Sequence, residues 1–135
     1  MIVVDPSSIM TIVFEEEGYE AYVTKLRSSR DLVMSAGSAL ELEVVSWRRG
    51  KKPLRDKVEQ LMRSFRISVL PMDLQQVAAA KTGFAQFGKG RHETPSALNF
   101  GDCFTYALAK TMSAPILFKG DDFTKTDADL VLLPQ

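Results

Sequence analysis

The sequence predicts an α/β fold, with a mostly parallel central sheet flanked by helices. Short apolar runs rich in β-branched residues alternate along the chain with longer segments whose apolar residues recur at helical spacing. Such alternation is typical of a parallel sheet covered on both faces. The 135 residues, 45% of them hydrophobic, are enough to bury a substantial core, and they contain no internal repeat or linker. We therefore expect one domain over residues 1–135.

The strands are indicated by short apolar runs that stop at turn-forming residues. The first run, MIVV, stops at Asp5 and Pro6, which places Asp5 at the carboxyl end of a buried strand. Pro71 ends the third run in the same way. The predicted strands are 1–4 (MIVV), 31–35 (DLVMS), 66–72 (RISVLPM), 115–118 (PILF) and 130–133 (LVLL).

The helices are indicated by a 3.6-residue apolar period and by residues suited to helix ends. Ser7 or Ser8 is the expected cap of the first helix, and Ser38 and Glu41 have the spacing of a capping box on the third. The predicted helices are 7–14, 19–26, 38–49 (ended by Gly50), 53–65, 73–87 and 100–112.

The third predicted helix carries an apolar stripe formed by Leu40, Val44 and Trp47. Trp47 could stack on a nucleic-acid base, but its helical register favours packing in the core or at a subunit interface.

The composition excludes several classes of protein and of site. Seventeen basic and seventeen acidic residues cancel, so contact with nucleic acid would need a local basic patch. With one cysteine, Cys103, and one histidine, His92, neither a zinc site nor a Cys–His nucleophile pair is expected. The lone cysteine fits a reducing compartment, and no export signal or membrane span is predicted.

The most informative pattern is a set of acids that follow the predicted strands. Asp5 ends the first strand, Glu41 follows the second, and Asp121 and Asp122 follow PILF; Asp102 begins a later helix. Ligands of open α/β sheets bind beyond the carboxyl ends of the strands, where these acids would share one edge. Crowded carboxylates repel each other unless a cation neutralises them, and Mg²⁺ and Mn²⁺ prefer oxygen ligands. A magnesium or manganese site is therefore predicted.

A carboxylate-bound divalent cation suggests phosphodiester hydrolysis, since the metal activates a water and stabilises charge on the departing oxygen. A nuclease also needs a basic surface for the phosphate backbone. The candidate RNA-binding residues fall in two clusters, Arg48, Arg49, Lys51 and Lys52 in the first, and Lys89 and Arg91 beside His92 in the second.

These motifs resemble one known family, the PIN-domain ribonucleases, and within it the VapC toxins of bacterial toxin–antitoxin pairs. The resemblance covers essentially the whole chain, and its most specific parts are NFGDCFTYALAK and FKGDDF. It implies a cytoplasmic, Mg²⁺- or Mn²⁺-dependent endoribonuclease that cuts RNA as the toxin of a type II toxin–antitoxin system. It also implies a homodimer that assembles with a VapB-type antitoxin into a larger complex.

The resemblance also implies roles for the acids. Asp5, Glu41 and Asp102 match the acidic site residues of the family, with Asp5 and Asp102 as direct metal ligands and Glu41 orienting water or a second ion. For the fourth acid we favour Asp122, with Asp121 as the neighbouring alternative.

One departure from the family pattern supports a different function. The family usually has threonine directly after the first aspartate, whereas Pro6 stands here. A hydroxyl that helps to position Asp5 could therefore be missing, which suggests a catalytically weakened homologue that acts mainly as an antitoxin-binding regulatory protein. A weaker third alternative is a phosphoacceptor domain of the response-regulator type, which also gathers acids at strand ends.

Every one of these acids except Asp5 also has a purely structural interpretation, whereas a carboxylate at the end of a buried strand needs a partner. Asp102 could serve only the first turn of its helix, behind Asn99 as N-cap, since free N–H groups and the helix dipole favour negative charge there. Glu41 could serve only the capping box, and Asp121 and Asp122 could form a plain acidic turn.

Overall fold

The computed structural model describes residues 1–89 and 98–134. The elements in chain order are β1 (Ile2–Val4), α1 (Pro6–Val13), α2 (Tyr19–Ser28), β2 (Leu32–Ser35), α3 (Ala36–Ser64), β3 (Ser68–Leu70), α4 (Leu74–Phe87), α5 (Phe100–Met112) and β4 (Ile116–Leu117).

The four strands form one sheet in the order β3-β2-β1-β4, and every pairing is parallel. In the central strand β1, Val3 lies opposite Val33 of β2 on one side and Ile116 of β4 on the other. All four carboxyl ends therefore lie at one edge of the sheet, as the sequence predicted. This edge carries the candidate site.

Both faces of the sheet are covered. Neighbouring residues of β1 point to opposite faces, so Val4 packs in a core with α1, α2 and α3, while Val3 packs in a second core with α5. Both valines are completely buried. A strand buried on both faces requires the continuous apolar run that MIVV provides.

Two helix starts differ from the sequence prediction. The N-cap of α1 is Asp5, whose side chain accepts a hydrogen bond from the backbone N–H of Ser7, and Pro6 occupies the first helical position, which suits its fixed φ. The N-cap of α3 is Ser35, whose side chain accepts from the N–H of Gly37. The predicted Ser38–Glu41 capping box is therefore wrong, and Ser38 is a buried residue inside the helix.

The helix break predicted at Gly50 is confirmed within one residue. Lys51 has φ 55° and ψ −152°, which are not helical values, so α3 consists of two helical segments joined at a kink there. One further prediction needs correction. The predicted strand 130–133 is reduced to a single bridge between Leu130 and Ile116, since Leu132 points into solvent and no further ladder forms.

Across the described ranges, no helix is both long enough and apolar enough to cross a membrane.

Candidate active site

Four acids come together at the carboxyl edge of the sheet. Asp5 lies between β1 and α1, Glu41 in the second turn of α3, Asp102 in the first turn of α5, and Asp122 beyond β4. Their mutual effects on pKa show that they are neighbours. Burial raises the pKa of Asp5, and the nearby Asp122 raises it further. Burial also raises the pKa of Glu41, and the nearby Asp5 raises that value further.

Asp5 is almost completely buried and tightly held. The residue as a whole is 6% exposed. Its Oδ2 accepts hydrogen bonds from the N–H and the hydroxyl of Ser7, at 3.1 and 2.6 Å. Its Oδ1 accepts from the hydroxyl of Thr105 in α5 at 2.6 Å. Helices α1 and α5 therefore fix both oxygens of this carboxylate.

Asp102 combines a structural role with a place in the acidic cluster. Its Oδ2 accepts the backbone N–H of Asn99 at 3.1 Å, while its own N–H donates to Asn99 Oδ1 at 2.8 Å, which completes a capping box. The pKa of Asp102 is raised to about 8, chiefly by burial. The neighbouring carboxyl groups of Asp122 and Asp5 add to this increase. The helix cap thus orients a carboxylate whose ionised form is disfavoured.

Glu41 reaches the cluster from α3 by packing on the backbone of α5. A Cβ atom built on Gly101 would overlap the Glu41 carboxylate. Glycine at position 101 is therefore what allows α3 to bring this acid beside Asp102.

The two acids after β4 differ in their surroundings. The carboxyl group of Asp122 lies close enough to Asp102 and Asp5 to raise the pKa of both. The backbone carbonyl of Asp121 closes a turn by accepting from the N–H and hydroxyl of Thr124. Of the two, Asp122 is the one that the structure places against the buried acids.

The donor set suits a hard divalent cation. Within residues 1–89 and 98–134, none of the ion pairs involves Asp5, Glu41, Asp102 or Asp122, so these acids are not neutralised by basic side chains there. In those ranges, no group of three or more His, Cys, Asp or Glu side chains is arranged so that all of its members could hold one metal ion. Mg²⁺ needs only one or two direct carboxylates and keeps its waters, so these oxygens fit it.

A comparison with known families decides the identity of the fold. The sequence profile described as the PIN domain matches residues 2–129. The chain belongs to the PIN-domain family. Two similar proteins come from Mycobacterium tuberculosis. Ribonuclease VapC30 is 32% identical over 133 residues, which cover 98% of this chain and 100% of that protein. Ribonuclease VapC42 is 36% identical over 126 residues, which cover 93% and 95%.

A solved structure agrees on the fold. VapBC2 from Rickettsia felis, bound to a DNA fragment from its promoter, has a TM-score of 0.75 at 13% identity and covers 99% of this chain and 100% of that one. The chain is thus a PIN domain of the VapC type, as the sequence motifs suggested.

The first cluster of predicted RNA-binding residues lies on α3, beyond Glu41. Lys52 is paired with Asp56 at 2.6 Å, and the Arg49 guanidinium lies 4.2 Å from the centre of the Phe14 ring. At 1.5 Å per residue, Arg48 and Arg49 are about 10–12 Å further along α3 than Glu41, and Lys51 and Lys52 follow at the kink. Lys89 is exposed after α4, and Arg91 lies outside the described residues, as does His92.

Sequence reasoning missed Thr105, whose hydroxyl holds Asp5. The available signal was a hydroxyl on the buried face of α5, one turn after Asp102 in an otherwise apolar run. Such a group needs a hydrogen-bond partner, but the sequence alone does not identify Asp5 as that partner.

Proposed function

We propose that this PIN domain is a Mg²⁺- or Mn²⁺-dependent endoribonuclease that hydrolyses RNA phosphodiester bonds as the toxin of a type II toxin–antitoxin pair. The observation that carries the proposal is the convergence of Asp5, Glu41, Asp102 and Asp122 at one sheet edge without basic partners among the described ion pairs. The names of its relatives, Ribonuclease VapC30 and Ribonuclease VapC42, support the same activity.

In this proposal Asp5 and Asp102 would be the direct ligands of the cation, and Glu41 and Asp122 would hold waters around it. The cation would lower the pKa of a water and neutralise charge on the departing oxygen. Ser7 and Thr105 hold Asp5, and the N–H of Asn99 holds Asp102, so neither carboxylate must reorganise when RNA binds. Glu41, whose pKa burial raises, is suited to accept the proton of the attacking water.

The test is cleavage of single-stranded RNA by the purified chain with Mg²⁺ or Mn²⁺, and with EDTA. Asp5→Asn should reduce the rate by at least about 100-fold, the range expected for a group of the reacting site. Asp121→Asn is the matched control, since it removes one carboxylate from the exposed turn, and should stay close to wild type. Cleavage that persists in EDTA, or at the wild-type rate in Asp5→Asn, contradicts the proposed site.

We also propose a VapB-type antitoxin as partner. The supporting observation is the likeness to VapBC2, whose structure contains promoter DNA. The test is to look for a short open reading frame adjacent to this gene and to co-express it, followed by co-purification and an electrophoretic shift of the promoter DNA. A toxin that neither binds that product nor is inhibited by it contradicts it.

The weakened-enzyme alternative draws no support from the site. Pro6 removes a hydroxyl next to Asp5, but Ser7 Oγ and Thr105 Oγ1 both donate to that carboxylate. The position of Asp5 is thus maintained by other hydroxyls, and we propose an active enzyme.

A further inference from the structure

Asp5 is held by two hydroxyl groups from different helices, one on each oxygen. Ser7 Oγ donates to Oδ2 at 2.6 Å, and Thr105 Oγ1 donates to Oδ1 at 2.6 Å. An ionised carboxylate can only accept, so Ser7 Oγ is the donor of the first bond, and it also accepts the backbone N–H of Lys119 at 2.9 Å. Oδ2 accepts a second bond, from the Ser7 N–H at 3.1 Å, whereas Oδ1 retains a lone pair beside the Thr105 bond for another ligand.

The Thr105 hydroxyl is itself part of a chain that begins on α3. Its oxygen lies 3.2 Å from the hydroxyl of Ser38, and both residues are completely buried. An ionised Asp5 can only accept, so Thr105 gives its proton to Asp5 and Ser38 gives its proton to Thr105. The order of donation is therefore Ser38 to Thr105 to Asp5. Ser38 lies three residues before Glu41 in α3. This chain of hydroxyl groups therefore connects the helix that carries Glu41 to the carboxylate of Asp5.

Several helical hydroxyl groups of this chain bond locally, whereas Ser8 Oγ donates across the fold to the backbone carbonyl of Leu117 at 2.8 Å, and Thr105 donates across the fold to a carboxylate. Thr11, Ser46 and Thr111 each donate to the backbone carbonyl four residues earlier, at 2.9, 2.6 and 3.0 Å. That local bond is the usual way for a helical hydroxyl to be satisfied. Thr105 instead donates to a residue one hundred positions away in sequence. Stability of α5 alone does not require this arrangement.

We propose that Thr105 is a positioning residue that fixes Asp5 for a divalent cation, with Ser38 as the outer member of the same hydroxyl chain. The inference rests on the proposed function, since it concerns the ligand geometry of that site. Partners that orient a metal ligand typically change metal affinity or activity by about 10–100-fold when they are removed.

The test compares Thr105→Val, which keeps the shape and removes the hydroxyl, with Thr105→Ser, which keeps the hydroxyl. Thr111→Val is the matched control, because it removes a hydroxyl from the same helix that bonds only to backbone. The readouts are Mn²⁺ affinity by electron paramagnetic resonance, kcat and KM for RNA cleavage, and thermal unfolding in EDTA. Thr105→Val should weaken Mn²⁺ binding about tenfold and lower kcat to a similar degree with KM unchanged. Thr105→Ser and Thr111→Val should match wild type.

A double-mutant cycle tests the role of Ser38. If Ser38 acts through Thr105, Ser38→Ala lowers Mn²⁺ affinity in the wild-type background and has no further effect in Thr105→Val. Equal effects in both backgrounds would overturn the chain. The positioning role alone would be overturned if Thr105→Val kept the wild-type Mn²⁺ affinity and kcat. It would also be overturned if Thr105→Val and Thr105→Ser lost affinity and kcat equally. A wild-type protein that neither binds Mn²⁺ nor cleaves RNA would overturn the proposed function together with it.

Discussion

At the scale of single residues, Asp102 stabilises its helix and weakens the metal-free fold at the same time. Its capping box with Asn99 is favourable, yet burial and its acidic neighbours disfavour the ionised carboxylate. Asparagine retains an oxygen that accepts the Asn99 N–H and carries no charge. The residue proposed to bind the ion is therefore a site where function and stability conflict.

This conflict predicts how stability depends on pH. The folded pKa of Asp102, about 8, lies above the ordinary value of 3.8, so between these values the folded state binds more protons than the unfolded state. The free energy of unfolding should therefore fall as pH rises through this window. The stability that Asp102 contributes is fully present below about pH 4 and is lost above about pH 8.

Asp102→Asn should remove this part of the pH dependence. In EDTA at pH 8 we expect the variant to unfold about 3–5 °C higher than wild type, the shift that about 1 kcal/mol gives in a domain of this size. The same variant should lose RNA cleavage. Urea unfolding from pH 5 to 9 measures the first effect, and a variant less stable than wild type at pH 8 would contradict it.

Pro6 gives a second prediction at this scale. Because Ser7 and Thr105 already hold Asp5, Pro6→Thr should change kcat for RNA cleavage by less than about threefold, well under the effect of losing a partner of a metal ligand. It should also cost about 0.4–1 kcal/mol of stability, since proline at the first helical position restricts the unfolded chain. Cleavage assays and urea unfolding measure these two effects. A gain of tenfold or more in kcat would instead identify the natural protein as a weakened enzyme.

At the scale of elements, local chemistry explains what the sequence could predict. The apolar period of α5 and its Asn99 cap were predictable because both depend on residues close together in the chain. The start of α3 was not, since Ser35 and Ser38 are both good caps and burial of Ser38 against Thr105 decides between them. The Thr105–Asp5 bond was not predictable either, because it depends on how α5 packs against the end of β1.

The contact between α3 and α5 gives a prediction about Gly101. A Cβ at this position overlaps the Glu41 carboxylate, which is the end of a flexible side chain, so Gly101→Ala should push that carboxylate aside at little cost in stability. We expect cleavage to fall at least tenfold while Tm does not fall. Glu41→Ala should cause no further loss of cleavage in the Gly101→Ala background, because the carboxylate is already displaced. Thermal unfolding and cleavage assays of the single and double variants provide the check, and wild-type cleavage by Gly101→Ala would contradict the assigned place of Glu41.

At the scale of the whole molecule, the parallel sheet explains why distant acids were predictable as one site. Four parallel strands place their carboxyl ends at one edge, so residues that follow different strands become neighbours whatever their separation in sequence. Strand direction does not determine which of two adjacent acids faces inward, however. The resemblance to the family favoured Asp122 over Asp121, and the path of the chain after β4 brings Asp122 beside Asp102 and Asp5.

The outer face of α3 gives a prediction about assembly. Leu40, Val44 and Trp47 form the stripe that the sequence indicated, and all three are exposed, with Leu40 at 65%. An exposed apolar stripe on one helix face is typical of a protein–protein contact. We expect it to be buried between two copies of this chain, which would make the protein a homodimer.

Leu40→Glu should therefore convert the dimer to a monomer in light scattering after size exclusion, because a charge buried at a two-fold interface meets its own copy. Leu74→Glu is the matched control. It places the same charge on a leucine that is 84% exposed at the start of α4, away from the stripe, and should remain dimeric. Far-ultraviolet circular dichroism should be unchanged in both variants. A wild-type monomer, or a Leu40→Glu variant that stays dimeric, would show that the α3 stripe does not hold two copies together.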